Sequence, residues 1–143
     1  MTVQLLPAGF HGGIVGKMHP SHIERIGDNK KPEVVVNCFP LNSIMEALKV
    51  SHVDYLSLDV EGPELEILQT IEWSRLRVDV ITVEYYEYAE YQKPENKEVN
   101  VTVTLNKLRN IRKFFSDTGI YREVTVIQPG SETAAQDIAF VRV

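Results

Sequence analysis

Cysteine is nearly absent: Cys38 is the only one among 143 residues, which excludes an internal disulfide. Its neighbours Val34 to Val36 and Phe39 make a buried, inert thiol the expectation, rather than a nucleophile. Basic charge is in short supply as well. Fifteen Lys and Arg stand against twenty Asp and Glu, for a formal net charge of −5, so nothing favours nucleic acid or an anionic membrane surface as partner. The short basic runs, Lys30-Lys31 and Arg109 to Lys113, read as solvated faces. Long hydrophobic runs are also missing. No apolar stretch approaches the roughly 18 residues that cross a bilayer, and no basic flank with an apolar core opens the chain. The expectation is a soluble chain with no membrane span or targeting signal of its own. Glycine is sparse after the first thirty residues, which hold five of the eight glycines and three of the four histidines. That opening stretch has no helical or strand period of useful length and reads as loop.

What is present suffices for one compact core, with 43% hydrophobic and 24% charged residues. Val34-Val35-Val36 with Cys38 and Phe39 reads as a short β-branched strand closed by Pro40. Leu41, Ile44, Met45 and Leu48 then recur at helical spacing, with Asn42, Ser43, Glu46 and Lys49 largely on the opposite face. Val53 to Val60 reads as a strand covered on both faces. It stops at Glu61-Gly62-Pro63, where Gly62 permits a sharp turn and Pro63 suits a helix start. Glu64 and Glu66 favour the dipole of that helix, and Leu65, Leu68 and Ile71 line its face to near Trp73. A second buried strand, Val78 to Tyr86, completes a βαβ unit and predicts parallel pairing. Residues 87–100 read as a tyrosine-rich loop containing the start of the glycosylation pattern Asn100-Val101-Thr102. A helix over about 104–117, with Leu105, Leu108, Ile111 and Phe115 as its stripe, is closed by Gly119. Two strands, 121–127 and 137–143, form an expected antiparallel hairpin.

Ligands of open parallel α/β sheets bind at the carboxyl ends of the strands, and in this chain those ends are acidic. Asp59 and Glu61 follow one strand, Glu84 ends the next, and Gly62 turns the backbone between them. Such carboxylates can accept hydrogen bonds from hydroxyls, hold a hard metal ion, or act as a general base. Equally, Asp59 or Glu61 could simply cap the helix that follows. His11, His19 and His22 have no cysteine at ligand spacing and read as surface loop residues, so no metal site is expected from them. Tyr85, Tyr86, Tyr88 and Tyr91 fit either an aromatic wall over a substrate or packing on the sheet edge.

The run Val53 to Leu68, with its Asp59-Val60-Glu61-Gly62-Pro63-Glu64-Leu65 core, followed by Val80 to Glu84, closely resembles the strand, Asp-x-Glu-Gly, helix, strand core of FkbM-type methyltransferases. The resemblance runs from about residue 33 to the closing Gln136 to Val141, and in wording it is similar to the Star-like animal branch. It implies an α/β, partial Rossmann-like methyltransferase fold: a parallel sheet with a C-terminal antiparallel hairpin and the first two strands of the family missing. It divides the chain into an irregular segment, 1–32, and the C-terminal part of the domain, 33–143. It implies S-adenosylmethionine-dependent O-methylation, with Asp59, Glu61 and Glu84 in catalytic positions, Asp59 and Gly62 toward the cofactor, and a small-molecule or glycan acceptor. The family's glycine-containing donor turn and its ribose-binding acid are absent, and Gly12 to Gly16 lacks the flanking strand and helix to replace them. The expectation is therefore a truncated domain, inactive alone, whose strand Val53 to Val60 presents an open edge for a partner chain. The alternative is a non-catalytic Star-like module of secretory-pathway trafficking. The first places the protein in the cytoplasm, the second in the Golgi, endoplasmic reticulum or endosome.

Overall fold

The computed structural model describes residues 2–8, 12–18, 20–29, 31–85, 97–127 and 137–143. It is a mixed α/β structure with two sheets. The first thirty residues are not the expected loop. Strand β1 (Thr2–Leu6) pairs antiparallel with the two-residue β2 (Gly13–Ile14) and with β3 (Val34–Asn37). A short helix α1 (Pro20–Ile26) and a 3₁₀ turn at Gly27–Asn29 follow β2. Proline at the first residue of α1 costs little, because the N–H it lacks would have no partner there. Leu6, Met18 and Ile26 bury against one another as the small core of this unit. The valine strand therefore belongs to the first sheet rather than the second, and Val34 and Val35 are exposed. Cys38 is half-buried rather than enclosed.

Helix α2 (Leu41–Ala47) links the two sheets, and its faces differ from those the spacing suggests. Leu41 and Met45 pack against the main core, whereas Ile44 and Leu48 are exposed. Asn42, expected outside, is buried. Its side chain accepts a hydrogen bond from the Glu72 N–H at 2.9 Å and donates to the Glu72 carbonyl at 3.3 Å, which satisfies a polar backbone that would otherwise be stranded.

The second sheet has the order β4-β5-β7-β6. Strand β4 (His52–Leu58) pairs parallel with β5 (Arg77–Glu84) through helix α3 (Glu64–Thr70). Strand β7 (Asp137–Arg142) pairs antiparallel with both β5 and β6 (Tyr121–Ile127). The sheet is thus mixed: β4 and β5 form its parallel pair, and the expected hairpin supplies the rest. Among the described residues β4 is an edge strand, so it is half-exposed instead of covered on both faces, with Tyr55 57% exposed.

Helix α4 (Lys97–Thr118) begins earlier than its apolar stripe suggests, and Asn100 lies within it rather than in a loop. Leu108, Ile111 and Phe115 face the sheet, Leu105 does not, and Thr104 and Lys107 turn inward instead. Gly119, at φ 67°, ends the helix in the left-handed conformation that glycine adopts most easily. Phe115 stacks on Phe140 at 4.0 Å between ring centroids, and Trp73 meets Tyr121 edge-on at 5.3 Å. The Tyr121 hydroxyl donates to the buried Val78 carbonyl at 2.9 Å, so this aromatic cluster carries no unpaired phenol.

Candidate functional site

The parallel pair aims the carboxyl ends of β4 and β5 at the same end of the sheet, and the antiparallel β7 begins there. Glu84 is in register with Asp137 at that rim. Asp59, one residue past β4, is exposed, whereas Glu84 is buried. Between them the chain makes a tight turn in which Glu61 has φ 60° and Gly62 φ 137°. Glu64, the first residue of α3, is fully buried and holds that turn together. Its Oε1 accepts the N–H groups of Val60 and Gly62, both at 3.0 Å, and its Oε2 lies 2.9 Å from Lys107 Nζ. The N-cap of α3 is Pro63, which makes no side-chain cap hydrogen bond.

Carboxyl oxygens of Asp59, Glu64 and Glu84 lie within 4.8 Å of one another. Crowded like charges in a dry site cannot all stay ionised. Burial pushes the Glu84 carboxyl up to about 9; the negative charges of Asp59 and Glu61 push the same way, Lys107 opposes, and Asp59 is hydrogen-bonded to it. Burial, and then Asp59, raises the Asp137 carboxyl as well. The rim therefore carries a proton on Glu84 at neutral pH, beside the exposed Asp59. Glu84 thus donates to Asp59, and the exposed Asp59 keeps oxygen lone pairs free to accept a hydrogen bond from a hydroxyl group. The spacing would also suit a hard divalent ion, but the Lys107 ammonium already stands against Glu64.

Of the residues expected here, Asp59 and Glu84 come together, and Glu61 lies near enough for its charge to act on Glu84. Gly62 does not offer a cradle. A Cβ there would stand 2.5 Å from the Lys17 carbonyl oxygen, so its open side is filled by the turn after β2, which Lys17 also ties to Glu66 by a 2.7 Å ion pair. The glycines of that turn do no better. Gly12 is closed off by Leu6 and Ala8 backbone and Gly13 by the Met18 side chain, while Gly16 faces open space. At Gly62, Gly12 and Gly13 the surrounding atoms thus leave no room for the close backbone approach that an adenosyl donor requires.

Glu64 and Lys107 are the site residues that the sequence reading missed. Glu64 was legible only as a helix-dipole residue, and no local signal showed Lys107 turning inward. Tyr85 is buried, and burial raises its hydroxyl pKa. Tyr86, Tyr88, Tyr91, His11 and His19 lie outside the described residues, as does the His22 side chain. A cleft of about 260 Å³ lies at the amino ends of β4 and β5, lined by Asn42, Met45, Lys49, Ser51 and Arg75, away from the carboxyl rim. Among the described residues no helix is long and apolar enough to cross a membrane.

Residues 8–122 match the family described as Methyltransferase FkbM domain. No curated protein and no solved structure matches the chain.

Proposed function

Because the chain belongs to the family of the FkbM methyltransferase domain, we propose that it is the acceptor-binding side of an S-adenosylmethionine-dependent O-methyltransferase. The acidic rim holds the acceptor hydroxyl. The observation that carries this reading is the pairing of exposed Asp59 with buried, protonated Glu84 at the carboxyl end of the parallel pair. Asp59 accepts the acceptor's hydroxyl proton in a hydrogen bond, and Glu84 keeps Asp59 oriented. Glu61 adds negative charge beside them, and Glu64 with Lys107 fixes the turn that sets their spacing.

S-adenosylmethionine, the donor implied by the family, supplies the methyl group, and the described residues do not fit it. In this reading the sheet β4-β5-β7-β6 is the acceptor side of a Rossmann-like methyltransferase sheet, and donor-side strands would add to the edge of β4. The chain alone is then inactive. The Star-like alternative, a non-catalytic module of secretory-pathway trafficking, would give meaning to the Asn100 pattern, which lies within α4.

Two titrations of the folded chain test the proposal: S-adenosylmethionine by calorimetry, and a panel of monosaccharides and hydroxylated small molecules by amide chemical-shift NMR. The expected result is no donor affinity, with acceptor shifts centred on Asp59 and Glu84 that disappear in Asp59→Ala. Micromolar donor binding, about 8 kcal/mol, would overturn the acceptor-side assignment. Acceptor shifts that avoid the rim, or that survive Asp59→Ala, would overturn the site.

A further inference from the structure

At the opposite end of the β4–β5 pair, three metal-ligating side chains stand on one face. His52 and Asp54 are two residues apart on β4, so they project to the same side. The parallel register pairs Val53 with Val78 and Tyr55 with Val80, which sets Asp79 beside Asp54. His52 Nε2 lies 2.8 Å from Asp79 Oδ2 and 4.0 Å from Asp54 Oδ1, and one ligand atom from each residue falls within 4.8 Å of the other two.

We propose that His52, Asp54 and Asp79 form a surface site for a borderline divalent metal ion of the Zn²⁺ type. Ligands about 2.0–2.2 Å from a tetrahedral ion stand about 3.3–3.5 Å from one another, and the two measured spacings bracket that value. One imidazole with two carboxylates is a donor set suited to zinc rather than to magnesium, which prefers oxygen alone. The positions are also prepared. Arg77 Nε donates to Asp79 Oδ1 at 2.7 Å, which occupies one carboxylate oxygen and leaves Oδ2 directed at His52. This is the outer hydrogen bond that commonly orients a ligating carboxylate. The two carboxylates outweigh the single guanidinium, and the remaining coordination positions open to water because Asp54 is 96% exposed and His52 about half exposed. Asp54 lies five residues from Asp59 along β4, roughly 16 Å of extended strand, so this site is separate from the acidic rim.

The experiment is calorimetric titration of the whole chain with ZnCl₂ in a non-chelating buffer at pH 7.5, repeated with His52→Ala and Asp54→Asn. Asp54 makes no close contact that folding depends on, so the second variant isolates ligation from stability. The expected result is one micromolar zinc site, weakened at least tenfold in each variant and not displaced by millimolar Mg²⁺. Absence of binding, or binding equally tight in Asp54→Asn, would show that these residues form an ion pair only and would overturn the proposal.

Discussion

Glu64 shows how one side chain can set a whole rim. Its carboxylate is dry, and it is tolerated because two backbone N–H groups and the Lys107 ammonium surround it. Removing one partner of such a pair leaves the other charge buried, so Glu64→Ala is expected to cost about 3 kcal/mol in urea unfolding. Glu64→Gln keeps an acceptor for Val60 and Gly62 and should cost less. Adding Lys107→Met to Glu64→Ala should recover part of the loss, because it removes the ammonium left behind. If the double variant is as unstable as the sum of the two single ones, the pair is not the source of the cost.

Between elements, the critical contact joins the turn after β2 to the turn after β4. Gly62, at φ 137°, packs against the Lys17 carbonyl, where neither the backbone conformation nor the space admits a side chain. Gly62→Ala should destabilise by about 2–4 kcal/mol, combining backbone strain with overpacking. It should also speed amide exchange over residues 13–18, measurable by hydrogen–deuterium exchange. Unchanged exchange there would mean that the two turns are not coupled. At this level the second sheet was readable from sequence and the first was not. The β4–α3–β5 unit declares itself because its apolar runs are continuous and its turn chemistry is specific. Strand β1 alternates over only five residues, Thr2–Leu6, and its partner β2 has two. Pairing across such separations is a tertiary decision that leaves almost no local period. The same holds for α2 and α4, where Asn42, Thr104 and Lys107 turn inward because of what lies opposite them, not because of their spacing. The acidic rim was readable as a set of residues. Its electrostatics were not, because the burial of Glu84 and the nearness of Lys107, Asp59 and Glu61 to it are set by tertiary packing.

For the molecule as a whole, the rim makes folding sensitive to pH in a direction opposite to that of a carboxylate stabilised by a cation. Glu84 rises from an ordinary value near 4.5 to about 9 on folding. Between those values the folded state binds more protons than the unfolded state, so stability falls as pH rises. The contribution is complete below about 4.5 and lost by about 9, and Asp137, also raised, acts with the same sign. Asp79, lowered by Arg77 and His52, acts the other way, and its contribution is lost only as pH falls through the ordinary aspartate range and below it. The two trends leave the stability maximum in mildly acid solution. One fully linked proton is worth about 1.4 kcal/mol per pH unit, so Glu84 can remove at most about 4 kcal/mol between pH 5.5 and 8.5. The urea midpoint of the unaltered chain should therefore fall steadily over this range. Glu84→Gln, which keeps the shape and the hydrogen-bond donor of the protonated acid, should match it at pH 5.5, flatten the slope, and be the more stable of the two at pH 8.5. A midpoint that rises with pH, or an equal slope in both chains, would mean that Glu84 is ionised in the folded state, and the proton that lets it orient Asp59 would not be there.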